Sequence, residues 1–301
     1  MNCPLCDTEN IKKLEKIDKK SLIGLYKKAT GEDFSYLISQ DIDFCECNNC
    51  KLRFYDPLTT GDEKFYNSLQ KFEWYYLDDK EEYVYAKDYI SSTDRVLEVG
   101  SGKGAFAKHI DTKDYVGLDF SRQAKNMAQQ NGIVVENELI EDYAEKHPHE
   151  FDVVVSFQVL EHVSNPKQFI ESKIKTLKKG GRLIIAVPSE DSFLKYATNV
   201  ILNMPPHHVT RWSDTTFKYI ADIYNLTIET IYHEKVQDVH KSWYLTTLIA
   251  NSISANKIIN TSFFYKFKNK FAGLIGRFLS RGLKNEMLPN GLSVLVVLKK
   301  V

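Results

Sequence analysis

Between Arg95 and Val187 the chain alternates short apolar runs with amphipathic stretches, and this rhythm limits the possible architectures more than any other feature. Arg95 to Val99, Tyr115 to Asp119, Ile133 to Glu136, Phe151 to Ser156 and Arg182 to Val187 have the length and β-branched content of buried strands. Ser121 to Gln130 and Pro166 to Leu177 carry helical spacing between them. Such alternation builds an α/β fold, a doubly wound, mostly parallel sheet with helices on both faces. Past Pro188 a polar loop runs through Asn203-Met204-Pro205-Pro206-His207-His208, followed by a helix from about Ser213 to Tyr224 and a strand from Leu226 to Val236. The last strand is expected at Leu292 to Leu298, antiparallel, after a helical insertion at about 240–288.

All five cysteines lie within the first 50 residues, an odd number with no export signal before it, so metal explains them better than disulfides. Cys3-Pro-Leu-Cys6 and Cys47-Asn-Asn-Cys50 are two CxxC pairs, the arrangement in which two knuckles present four thiolates to one tetrahedral zinc ion. Cys45 is then a bystander or an alternative ligand. The expected division is a zinc-ribbon module over 1–75, with structural Zn2+ on Cys3, Cys6, Cys47 and Cys50, and a catalytic domain over 76–301.

At the end of the first parallel strand stands Glu98-Val99-Gly100-Ser101-Gly102-Lys103-Gly104-Ala105, followed by an expected helix. Glycines there let a bulky nucleotide approach the backbone, and Asp119, closing the next strand, is placed to accept hydrogen bonds from a ribose diol. The loop alone also fits a dinucleotide fingerprint and does not choose the cofactor.

The surrounding motifs do. Over roughly residues 93 to 190 the chain resembles class I S-adenosylmethionine-dependent methyltransferases. The similarity lies in the glycine loop, in Gly117-Leu118-Asp119-Phe120-Ser121, in Phe151-Asp152 through Val159-Leu160-Glu161-His162-Val163, and in Lys178-Lys179-Gly180-Gly181-Arg182-Leu183. The resemblance implies a Rossmann-like sheet and a cofactor site made of Glu98, Gly100, Ser101, Gly102, Gly104, Asp119, Phe120, Glu141, Asp142 and Gln158. In it the glycine loop meets the amino-acid half, Asp119 the ribose, Phe120 and the Glu141/Asp142 pair the adenine, and Gln158 the methionine side. The cysteine pairs followed by Leu52-Arg53-Phe54-Tyr55-Asp56-Pro57 are similar to zinc-ribbon methyltransferases of sugar, surface-polysaccharide and natural-product pathways, except that Asp7 and Lys51 replace the glycine usual after each pair.

Methyl transfer to a hydroxyl needs a proton acceptor, and histidine suits that role. His208, then His207, on the loop after the fifth strand are the first choices, with His162 after the fourth strand as a third. The bland alternative is that Pro205-Pro206 fixes a turn and the histidines are ordinary loop residues. Trp74, Tyr75 and Tyr76 either roof the cofactor or accept a sugar ring, or they form the hydrophobic seam between modules. From 250 to 301 there are nine basic residues and one acidic, Glu286. Aromatic and basic residues over 257–284 fit either peripheral contact with an anionic membrane or a helix pair packed on the domain or across a homodimer.

Forty acidic and forty basic residues give no net field to attract nucleic acid, which makes such a substrate unlikely. No apolar run is long enough to span a bilayer, and the reading is of a cytoplasmic enzyme acting on a small-molecule or sugar-containing acceptor. Its competitors are an NAD-dependent oxidoreductase and a catalytically inactive zinc-ribbon adaptor.

Overall fold

The computed structural model describes residues 1–69, 80–252, 257–284, 286 and 288–301. The 75/76 module boundary and Trp74, Tyr75 and Tyr76 lie outside the described residues.

The N-terminal region folds as β1 (Ile11–Ile17), α1 (Lys19–Thr30), β2 (Ile42–Cys47), β3 (Arg53–Asp56) and α2 (Glu63–Leu69). The lysine-rich β1 is an edge strand, where charge discourages pairing with another chain. Asp18 caps α1 by accepting from Ser21 N at 2.8 Å, and Gly31 ends it in the left-handed conformation. On one side of this sheet Leu22, Tyr26, Phe34, Ile42, Phe44, Tyr55 and Phe65 form a buried cluster. Met204 and Ile258, from far along the chain, complete it.

The remainder contains α3 (Glu81–Lys87), β4 (Val96–Val99), β5 (Tyr115–Leu118), α4 (Arg122–Gln130), β6 (Val135–Glu136), α5 (Ile140–Lys146), β7 (Phe151–Phe157), α6 (Pro166–Thr176) and β8 (Leu177–Pro188). These are followed by β9 (Thr210–Arg211), α7 (Asp214–Ile223), β10 (Leu226–Lys235), α8 (Lys241–Ser252), α9 (Phe263–Ser280) and β11 (Asn290–Lys300). Among the described residues, seven strands form the large sheet in the order β10-β11-β8-β7-β4-β5-β6, parallel from β8 to β6 and antiparallel on both sides of β11. The period-two geometry of its strands sorts side chains between two cores: Leu97, Val154, Leu183, Ile185 and Val296 on one face, Val96, Val153, Val155, Ile184 and Val297 on the other. Burial on both faces explains the unbroken apolar runs of β7 and β8.

Two features depart from expectation. The glycine loop leads into a 3-10 turn at Phe106–His109 rather than an α-helix, with Phe106 packed on Tyr83 and Phe157. The cysteine region and the large sheet also share structure: β9 pairs with β3, and Cys3, Leu5, Cys47, Cys50 and Leu52 belong to the same buried cluster as Leu160, Phe169, Trp212 and Phe217.

The expected insertion is the antiparallel-looking pair α8 and α9, and its packing runs against hydrophobicity. Ala272 and Gly276 face α8, with Gly276 so close that a Cβ would lie 2.6 Å from Thr246 Oγ1 and 3.0 Å from Ser242 O. Phe263, Phe264, Phe267, Phe271, Leu274 and Phe278 point outward, each more than half exposed. Among the described residues no helix is long and apolar enough to cross a membrane.

Candidate functional site

The two knuckles bring four sulfurs together. Cys3 and Cys50 Sγ are 3.5 Å apart, as are Cys6 and Cys47 Sγ, and all four lie within 4.8 Å of one another. Zinc–sulfur bonds of about 2.3 Å at tetrahedral angles set sulfurs roughly 3.8 Å apart, so the donors fit the ion in number, chemistry and spacing. Asp7 and Lys51 take the left-handed conformation at φ 56° and 62°, and each donates its N–H at 3.0 Å to the first cysteine of its pair. They therefore do glycine's work at the cost of some backbone strain. The hydrogen bond between Cys3 and Cys50 lowers the Cys3 thiol and raises that of Cys50, so the pair shares a proton that a bound metal would displace. Cys45 stays out of the cluster, its Sγ 3.6 Å from Met1 Sδ. Lys167 on α6 pairs with Asp7 at 2.5 Å, and Asn49 donates to Tyr219 on α7 at 3.2 Å, tying the knuckles to the helices of the large sheet.

At the ends of β4 and β5, Gly100 N donates to Leu118 O, turning the glycine loop across the neighbouring strand. Asp119 Oδ2 accepts from Gly102 N and Oδ1 from Ser121 N, both at 2.8 Å. The carboxylate is thus held by backbone and retains further lone pairs. Burial raises the Asp119 pKa. Glu98 is buried and accepts from the Tyr115 hydroxyl, with burial pushing it up to about 8. Ser101 packs on β5 where Gly117 has no side chain.

Phe120 and Leu139 are exposed, at 63% and 57%, on the loops flanking this edge, and Glu141 and Asp142 occupy the first turn of α5. Asn137 Nδ2 donates to Asp119 O at 2.9 Å and joins these loops. Leu139 and Asn137 escape a motif search because neither carries a distinctive spacing. Gln158, at φ 57° where β7 ends, donates to Glu82 Oε1 at 2.9 Å and Ser293 Oγ at 3.2 Å, which ties this position to α3 and β11.

The three histidines, separated by 45 residues in sequence, converge. Nδ1 of His162 lies 2.6 Å from His207 O, Nδ1 of His207 2.9 Å from Leu202 O, and Nδ1 of His208 3.4 Å from Asn203 Oδ1. Carbonyls only accept, so His162 and His207 carry hydrogen on Nδ1 and a lone pair on Nε2. Glu161 is buried among them, His162 Nε2 at 3.8 Å and His208 Nε2 at 3.9 Å from its Oε1. Burial pushes Glu161 up to about 8 and His162 down to about 4; it drives His207 and His208 well below the usual imidazole range. The loop carrying His207 and His208 is clamped from both sides: Val209 N donates to Glu161 O, Tyr55 N to Val209 O and Gly61 N to Pro206 O. The N-terminal sheet thus shapes this cluster. Glu161 was visible in the sequence only as part of the Leu160-Glu161-His162 signature, and Tyr66, whose hydroxyl is 3.4 Å from His162 Nδ1, carried no signal.

The strand order excludes the simple dinucleotide arrangement, in which the sixth strand continues the parallel series; here antiparallel β11 sits between β8 and β10. A 100-residue stretch is 41% identical to an uncharacterized protein of Methanocaldococcus jannaschii, covering 33% of this chain and 47% of that protein. Another is 33% identical to the ubiquinone biosynthesis O-methyltransferase of Klebsiella pneumoniae, covering 31% of this chain and 41% of that enzyme. The match thus spans less than half the length of either relative. Among solved structures, SAM-dependent methyltransferases from Archaeoglobus fulgidus and Thermotoga maritima superpose with TM-scores of 0.51 and 0.53. Each is 17% identical and covers 79% of this chain, and 100% and 98% of the respective structure, so what is shared is the class I methyltransferase fold. The methyltransferase-domain family matches residues 70–231, more than half of the chain, and the protein belongs to that family.

Proposed function

We propose that this protein methylates a hydroxyl of a small-molecule acceptor with S-adenosylmethionine as donor. The observation that carries the reading is the backbone-held Asp119 carboxylate beside the Gly100–Gly104 loop at one crevice of a class I sheet, with the histidine loops adjoining. When bound, S-adenosylmethionine supplies an electrophilic methyl: the acceptor oxygen's lone pair forms the C–O bond, the C–S pair leaves with sulfur, and the hydroxyl proton must be taken up. Asp119 would accept from the ribose diol, Phe120 and Leu139 would cover the adenine, Glu141 or Asp142 would accept from its amine, and Glu98 and Gln158 would line the amino-acid side. The imidazole cluster would take up the proton, with His208 first and His207 and His162 beside it. Zinc on Cys3, Cys6, Cys47 and Cys50 is structural, holding the sheet that clamps the histidine loop.

For the acceptor, the relative named for ubiquinone biosynthesis favours a phenolic, quinone-type hydroxyl. The sugar acceptor expected from the cysteine module rests on that module's resemblance alone. A second observation supports an apolar acceptor. On α9 the residues Phe263, Phe267, Phe271, Leu274 and Phe278 fall within about 100° of helical arc, and Lys266, Lys270 and Arg277 lie along one side of that stripe. Aromatic side chains beside cations match an anionic lipid surface, where α9 would lie in the interface. Incubation with methyl-labelled S-adenosylmethionine and two acceptor panels, catechols and nucleotide sugars, tests the reading. Label is expected in a catechol; label in neither panel contradicts hydroxyl methylation, and label only in sugars reverses the acceptor assignment.

A further inference from the structure

The geometry points to a second metal site, made of Glu161, His162, His207 and His208, that takes a divalent first-row transition ion beside the cofactor loop.

Glu161 carries the argument. Its side chain is 1% exposed, and no hydrogen-bond donor among the described residues reaches either carboxylate oxygen. A buried carboxylate left without a hydrogen bond is costly, and the ion-pair contacts within 4.0 Å of Oε1 among the described residues are imidazole nitrogens, His162 Nε2 at 3.8 Å and His208 Nε2 at 3.9 Å. The ring nitrogens of His162, His207 and His208 lie within 4.8 Å of one another. Their opposite nitrogens are engaged by His207 O, Leu202 O and Asn203 Oδ1, the arrangement that fixes the tautomer and aim of metal-ligating histidines. Bonds of about 2.1 Å place donors roughly 3.4 Å apart, so small side-chain movements would bring the three imidazoles onto one ion, with Glu161, 3.8 and 3.9 Å from two of them, as the fourth donor. Three imidazoles and one carboxylate select manganese, iron, cobalt or zinc over magnesium or calcium.

The site also lies where an ion would be useful. Val159, between Gln158 and Glu161, packs against Gly100 of the cofactor loop, so the four donors adjoin the crevice. An acceptor hydroxyl taken as a fifth ligand would lose its proton to solvent, and this ion would replace His208 as the agent of deprotonation, because the Nε2 lone pair of His208 is then held by the metal. This catalytic half rests on the methyl-transfer reading; the binding half does not.

The test starts from the full chain loaded with one equivalent of zinc, which the four thiolates take. Mn2+ is then titrated and followed by electron paramagnetic resonance. One further ion per chain is expected, bound at least about tenfold more weakly in Glu161→Gln and in His208→Gln, with the cysteine-bound zinc retained. Co2+ substitution of the wild type gives a reading independent of variant folding: two ions are expected, one with thiolate charge-transfer bands and one without. A single ion per chain in both experiments overturns the proposal, as does a second ion unaffected by both substitutions. Methyl transfer assayed in parallel separates the two readings. Mn2+ binding without turnover leaves the site and removes the methyl-transfer reading; turnover without a second ion does the reverse.

Discussion

Gly100 and Val159 touch so closely that a Cβ on Gly100 would drive into Val159 Cγ2, and Gly100 holds φ at 79°. The glycine loop and the loop bearing Glu161 and His162 are therefore seated against each other with no spare volume at this contact. Gly100→Ala adds both a clash and a strained backbone. It is expected to weaken S-adenosylhomocysteine binding by at least about tenfold, roughly 1.4 kcal/mol, in calorimetry on a protein whose circular dichroism is unchanged. Wild-type affinity in this variant would mean the loop does not meet the cofactor.

The cysteine centre is predicted to hold the chain together beyond its own knuckles, because Cys3, Cys47 and Cys50 share a core with Phe169 and Phe217. Cys47→Ser should lower bound zinc by one ion per chain and depress the melting temperature by more than about 5 °C. Cys45→Ala, outside the cluster, should keep that ion. Equal zinc loss in the two variants would make Cys45 a ligand.

The strands of the large sheet were readable because each is a local apolar run: Phe151 to Ser156 was expected, and β7 is Phe151–Phe157. Pairing of β9 with β3 was not, since a two-residue strand at Thr210–Arg211 has no period and its partner lies about 155 residues away. The glycine loop stood out as a motif and the histidines by their place after the expected strands, yet only the fold places Glu161 between His162 and His208. On α9 the apolar pattern was legible, but hydrophobicity alone orients Phe267 and Phe271 inward, whereas close packing at Gly276 turns them out. Left-handed Asp7 and Lys51 show why the missing glycines did not cost the knuckles.

Lys173 sets a pH dependence of stability. It is fully buried, bonded to Ser156 Oγ at 2.5 Å, and burial pushes its pKa down to about 7. Between about 7 and the ordinary value near 10.4 the unfolded chain binds a proton that the folded chain does not, so this group makes stability rise with pH across that window. Lys173→Met removes the term. Urea unfolding should find the variant more stable than wild type at about pH 7.5, the gap shrinking by up to about 2 kcal/mol at pH 9.5. A gap independent of pH would mean Lys173 stays protonated in the fold.

The outward face of α9 gives a binding prediction. The protein should co-sediment with phosphatidylglycerol vesicles and much less with phosphatidylcholine, with binding reduced by salt and abolished in the Phe267→Ser, Phe271→Ser double variant. A lipid-independent dimer that the same double variant dissolves, with no vesicle binding, would assign the stripe to a second copy of the chain.

The central claim, an S-adenosylmethionine site organised by the glycine loop and Asp119, is tested most directly by calorimetric titration with S-adenosylmethionine, S-adenosylhomocysteine and NAD, repeated on Asp119→Ala. Saturable binding of the two sulfur ligands alone, weakened at least about tenfold by the substitution, is the predicted result. Binding of NAD alone, or of none of the three, would contradict it.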